Sequence, residues 1–226
     1  MKTQLPLCLG HQSAHGDTDF FVAPCNQEAV TWLDCWPDWP SQTTVLYGPA
    51  RCGKTHLAHV WQSRSGARVI PPKHLTTDAL PEILEGVTAC VIDNVDEEVD
   101  ELALLHLHNM LGERSGHLLL TSSAPPTRWR VQLKDLRSRM NAASSVAVGF
   151  PDDALISRIL IKLFADRQLH IGTDVIGFLV TRIERSFESA HKIVNLLDEA
   201  ALAGHRRITV PLARDVVNKL GKREEE

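Results

Sequence analysis

Eight consecutive residues, Gly48-Pro49-Ala50-Arg51-Cys52-Gly53-Lys54-Thr55, complete the pattern G-x-x-x-x-G-K-[ST]. The chemistry it suits is the gripping of a polyphosphate. Glycines let successive backbone N–H groups curl around an anion at the positive end of a helix. The Lys54 ammonium supplies a point charge for the outer phosphates, and the Thr55 hydroxyl is a hard oxygen ligand for Mg²⁺. A turn that only had to reverse the chain would gain nothing from the lysine or the hydroxyl. A nucleotide phosphate is therefore the expected ligand.

A second group follows. Val91-Ile92-Asp93 ends an apolar run on a carboxylate, and at the tip of a parallel strand Asp93 would hold the magnesium together with Thr55. The next residue is Asn94, whose amide cannot take a proton from an attacking water. Fast intrinsic hydrolysis is not expected. Asp96, Glu97, Glu98, Asp100 and Glu101 come next and read as a solvated acidic helix start. Leu118 to Leu120 runs into Thr121-Ser122-Ser123, hydroxyls placed either to sense a γ-phosphate or to cap the following turn. Arg128, Arg130, Lys134, Arg137 and Arg139 fall within twelve residues. So much arginine suggests a phosphate partner, since a planar, permanently charged guanidinium can neutralise charge on a transferring phosphoryl group.

The elements that must position these groups alternate. Apolar runs at Thr43–Tyr47, Val69–Ile70, Thr88–Ile92, Leu118–Thr121 and Val146–Val148 are separated by helical patterns, among them Asn26–Trp36, Thr55–Ser65 and Leu102–Leu111. That alternation predicts a five-stranded parallel sheet with crossover helices. After Phe150-Pro151 the strand-like runs stop, and four helices are expected near 152–167, 173–184, 187–204 and 211–220. The reading is thus a tail over residues 1–19, an α/β domain over 20–150 and an all-helical domain over 151–226. The charged end Lys222 to Glu226 reads as a frayed terminus.

Composition removes several alternatives. With 226 residues, 43% hydrophobic and 23% charged, and a net charge of −4, the chain is neither disordered nor fibrous. It is not a protein that coats nucleic acid, so any DNA contact should be local or delegated. No apolar stretch is long enough for a signal peptide or a membrane span. Five cysteines without a C-x-x-C pair suggest no zinc ribbon and no disulfide framework, and point to the cytoplasm. His56/His59 and His106/His108 have no carboxylate at ligand spacing. Trp32, Trp36, Trp39, Trp61 and Trp129 read as core or subunit contacts.

With these pieces in place the chain resembles the AAA+ ATPases of the DnaA family over nearly its whole length. The resemblance implies an α/β P-loop AAA+ domain with a parallel five-stranded sheet, followed by a small all-helical lid, binding ADP or ATP with Mg²⁺. Asp19 to Asn26 looks like the family's segment beside the adenine, which brings Pro24 and Asn26 near the base. Ser138-Arg139-Met140 matches the arginine-finger box, which makes Arg139 the finger. Gln4-Leu5-Pro6-Leu7-Cys8-Leu9 is similar to the peptide with which regulators of this family bind the sliding clamp of DNA polymerase. Cys8 stands at the usual proline, leaving Gln4, Leu5, Pro6, Leu7 and Leu9 as the contacts.

What the resemblance implies, then, is a regulator of bacterial replication initiation. Its partners would be the clamp and DnaA, it would reach DNA only through them, and it would stimulate ATP hydrolysis by DnaA through Arg139 in trans. Two departures stand out. The chain stops after the fourth lid helix, so origin binding by a helix-turn-helix domain is not expected. Glu188 stands near the family's sensor arginine, with Arg185 and Lys192 the nearest cations. A helicase loader of the DnaC type and an autonomous P-loop ATPase or kinase are the alternatives. The sequence does not fix which nucleotide activates the protein, nor whether it forms a homo-oligomer.

Overall fold

The computed structural model describes residues 22–96, 99–204 and 206–224. The chain divides into two compact units. One holds the residues up to Ala50 and Lys54–Gly149, and the other holds Arg51–Gly53 with the residues from Phe150 onward.

In the first unit, α1 (Gln27–Asp34), β1 (Thr43–Tyr47), α2 (Lys54–Ser65), β2 (Arg68–Val69), α3 (Leu80–Ile83), β3 (Ala89–Ile92), α4 (Glu101–Glu113), β4 (His117–Ser122), α5 (Lys134–Ala142) and β5 (Ser144–Ala147) follow one another, with short 3₁₀ turns between. The five strands are all parallel, in the order β2-β3-β4-β1-β5. Alternation assigns the two faces. Val45, Cys90, Ile92, Leu118 and Leu120 join one apolar cluster with Leu104, Leu107 and Leu111 of α4 and Leu136 and Met140 of α5. Leu46, Val91 and Leu119, on the other face, are equally buried, as are Leu57, Ala58 and Trp61 of α2. Both faces are covered, which is why the strands read as continuous apolar runs. Each fully buried leucine contributes roughly 2–3 kcal/mol.

Three tryptophans, Trp32, Trp39 and Trp61, are buried. Trp39 stacks on Trp61 at 5.1 Å between ring centroids, and Trp32 Nε1 donates to Thr44 Oγ1. Trp36 and Trp129 are half-buried. The Asn26 side chain does not cap α1 as its position suggests; its Oδ1 accepts from the Ala23 N–H at 2.8 Å, tightening the turn before the helix.

In the second unit α6 (Asp153–Asp166), α7 (Thr173–Val180), α8 (Phe187–Gly204) and α9 (Val210–Glu224) pack through Leu155, Ile156, Ile159, Leu160, Leu163 and Phe164 of α6 against Ala190, Ile193, Val194 and Leu197 of α8. Asp152 caps α6 by accepting from the Leu155 N–H. Ser186 accepts from the Ser189 N–H at the start of α8. α9 runs as far as Glu224, and Glu225 and Glu226 of the charged end lie outside the described residues.

Candidate functional site

The glycine-rich loop leaves β1 at Tyr47 and enters α2 at Lys54. It lies at the C-terminal edge of the parallel sheet, where such folds bind ligands. Its first residue is tied to the neighbouring strand, the Gly48 N–H donating to the Ser122 carbonyl. Gly53 has φ +102, which favours glycine, and a Cβ there would meet the Phe187 ring at 2.8 Å. Lys54 Nζ donates to the Gly48 and Pro49 carbonyls, both at 2.8 Å. The ammonium is thereby held within the curl of the loop.

Two further strand ends meet the loop. Thr55 Oγ1 donates to Asp93 Oδ2 at 2.8 Å, and Thr121 Oγ1 donates to Asp93 Oδ1 at 2.5 Å. Thr121 Oγ1 in turn accepts from the Asn94 N–H at 2.7 Å. The loop, β3 and β4 are thus joined through one carboxylate, and the strand-end hydroxyl of Thr121 orients that carboxylate. Thr55 and Asp93 form an all-oxygen donor set that suits Mg²⁺, which binds through one or two protein oxygens and leaves the rest of its shell to phosphate and water. No group of three or more His, Cys, Asp or Glu gathers at metal spacing among the described residues.

Among the described residues of the acidic run, Asp96 and Asp100 are exposed and Asp100 and Glu101 stand at the start of α4, as expected, yet each also holds backbone. Asp96 Oδ2 accepts from the Ser123 N–H at 2.5 Å. Asp100 caps α4 through the Leu102 and Ala103 N–H groups. Glu101 accepts from the backbone of Gln132 and Leu133 at 2.7–3.0 Å. Each of these three carboxylates is committed to holding backbone.

Pro24 and Asn26 reach the loop's neighbourhood through a relay of backbone bonds. The Gly149 N–H donates to Cys25 O, and the Val148 N–H donates to Tyr47 O. Pro24 is exposed while Asn26 is buried. Cys52 is buried. Within the second unit the Arg51 guanidinium donates to Glu184 at 2.5 Å and lies 3.3 Å from Glu188, while Arg185 is paired with Asp153 at 2.7 Å. Gln4, Leu5, Pro6, Leu7 and Leu9 lie outside the described residues.

Arg139 stands apart from this constellation. It is exposed in the last turn of α5 and makes no hydrogen bond or ion pair among the described residues. Its charge is felt by His108, whose imidazole is held below its ordinary range by burial first and by Arg139 second. His108 Nδ1 lies 3.0 Å from the hydroxyl of Thr43, the first residue of β1, whereas the glycine-rich loop follows the last. Arg139 lies in the last turn of the helix that leads into β5, whose first residue Ser144 pairs with Thr44 near the start of β1, whereas the glycine-rich loop follows the end of β1.

Fold and site together define an AAA+ module. Residues 153–217 match the family model described as "Hda, lid domain". Domain III of the Thermotoga maritima replication initiation protein DnaA aligns with a TM-score of 0.74 at 18% identity, over 88% of this chain and 94% of that one. DnaA from Aquifex aeolicus, bound to AMPPCP, aligns at 0.66 and 20% identity over 82% of this chain. This chain spans 65% of that longer protein. The Thermotoga maritima Holliday junction branch migration motor RuvB aligns at 0.68 and 16% identity, over 87% and 68%. The chain thus shares the fold of these AAA+ proteins, and its residues 153–217 match the Hda lid-domain model.

Proposed function

We propose that this protein is a DnaA-related regulator of replication initiation in the bacterial cytoplasm. It binds ADP or ATP with Mg²⁺ through Gly48–Thr55 and Asp93, and acts on ATP held by DnaA through Arg139. The observation that carries this reading is the placement of Arg139: exposed, without a protein partner among the described residues, and on the helix that leads into the start of β5, whereas its own phosphate loop follows the end of β1. A guanidinium so placed serves a neighbour's nucleotide better than its own. Asn94 agrees with this division of labour, because an amide beside Asp93 weakens the protein's own turnover and leaves an action in trans intact.

The peptide Gln4 to Leu9 supplies the tether: a polar hook and apolar anchors that dock on the sliding clamp at small ordering cost. The test is ATP turnover by DnaA in the presence of clamp loaded on DNA. Gln4→Ala should abolish clamp capture and Arg139→Ala should abolish stimulation. Unaltered capture or unaltered stimulation removes the corresponding role.

A further inference from the structure

The segment joining β4 to α5 has a pattern that the reading above does not use. From Arg128 to Lys134 exposure alternates residue by residue: Arg128, Arg130, Gln132 and Lys134 are exposed, while Trp129, Val131 and Leu133 are half-buried and pack against the main core cluster. The backbone is extended at Trp129 and Leu133. Every outward side chain is therefore a cation or an amide, and outward neighbours are about 6–7 Å apart along the chain.

This row is fixed in place. Trp129 Nε1 donates to the Ala124 carbonyl at 2.8 Å, the Trp129 N–H donates to Pro126 O, and Glu101 grips the Gln132 and Leu133 N–H groups. Its cations are not consumed by the fold: Arg128, Arg130 and Lys134 make no hydrogen bond or ion pair among the described residues. Ser123 to Lys134 contains no Asp or Glu, and Asp135 follows it. The rest of the chain up to Gly149 is acid-rich, so the charge is concentrated locally.

We propose that Arg128, Arg130, Gln132 and Lys134 form a contact line for the phosphate backbone of single-stranded nucleic acid. The partner is identified by shape as well as sign. A one-residue-wide row of donors, carried on a stretch that runs from the end of a 3₁₀ turn at Arg128 to the start of α5 at Lys134, matches a linear polyanion whose charges recur at regular intervals. The contact is direct and local, unlike DNA access through partners alone, and it does not depend on Arg139 or on the glycine-rich loop.

The test is fluorescence anisotropy of the full chain with a labelled oligo-dT of about 20 nucleotides, long enough for a site of this kind, over a range of salt. Wild type should bind in a salt-sensitive manner. Arg128→Ala/Arg130→Ala/Lys134→Ala should weaken binding about tenfold or more and flatten the log–log salt slope by about 2, since each lost phosphate contact on a single strand removes about 0.7. Arg128→Lys/Arg130→Lys should retain most of the binding, and Lys73→Ala, an exposed cation elsewhere, should change nothing. Unchanged nucleotide affinity and circular dichroism would confirm that the variants fold. No binding by wild type, or an unchanged slope in the folded triple variant, overturns the proposal. Loss of clamp or DnaA binding in the triple variant, with oligonucleotide binding unaffected, would make the row a protein-docking surface instead and equally overturn it.

Discussion

Thr55 Oγ1 donates to Asp93 Oδ2 at 2.8 Å across 38 positions of sequence, so the hydroxyl that opens α2 and the carboxylate that closes β3 form one oxygen pair. If that pair holds Mg²⁺, then Thr55→Val and Asp93→Asn should each remove most of the magnesium-dependent gain in nucleotide affinity, by about tenfold or more, and leave the weak magnesium-free binding nearly unchanged. Isothermal titration with ATP, with and without Mg²⁺, checks this. A variant with the full magnesium effect would contradict it.

The strand-end hydroxyl of Thr121 joins β4 to the end of β3. This buried hydroxyl donates to Asp93 and accepts from the Asn94 N–H. Thr121→Val should leave both without that partner and destabilise the first unit by about 1–3 kcal/mol, whereas Thr121→Ser should restore most of the loss. Urea unfolding of the two variants measures the difference, and equal stabilities would show that the bridge is not needed.

Asn94 sits at φ +61, a conformation that Asp also tolerates. Asn94→Asp offers a carboxylate where the amide stands, and intrinsic ATP hydrolysis should rise by about tenfold or more with nucleotide affinity little changed. Steady-state phosphate release decides it. No rise would mean that the slow turnover expected for this protein has another cause.

His108 gives a pH dependence of defined sign. Free in an unfolded chain its ring takes up a proton near 6.5, while burial and then Arg139 keep it neutral to lower pH in the fold. The unfolded state therefore binds the proton first. The contribution of a neutral His108 is complete above about 6.5 and is lost as pH falls through the folded value. His117, also held low chiefly by burial, acts in the same direction. Melting temperature should fall between pH 7.5 and 5.5, and His108→Gln should reduce that fall. Arg139→Ala should move the His108 titration upward in NMR, which also checks that the two groups are close; an unmoved titration would contradict their proximity.

The residues that were legible in sequence and those that were not differ in a physical way. Thr43–Tyr47 is recognisable because its residues are β-branched or apolar, as suits a strand covered on both faces, and the four helices after Pro151 because each carries an apolar stripe at helical period. The helix α5 is harder to see, since only Leu136 and Met140 face the core and its remaining residues are mostly polar. The early end of α7 at Val180, against an expected 184, comes where the Arg182 and Ile183 N–H groups both turn back onto the Leu179 carbonyl. The link from Asp93 to Thr121 spans 28 positions, and the capping and bracing by Asp96, Asp100 and Glu101 depend on which backbone N–H groups the fold brings near. Neither kind of contact has a local signature. Glycine-loop chemistry, by contrast, is local, and its eight residues announce it.

The most direct measurement is single-turnover hydrolysis of ATP on DnaA, with clamp loaded on DNA and this protein in excess, comparing wild type with Arg139→Ala at matched nucleotide affinity. Stimulation by wild type and its loss in the variant by a factor on the order of 10³ is the expected result. Equal rates for the two proteins would contradict the role given to Arg139 and the function built on it.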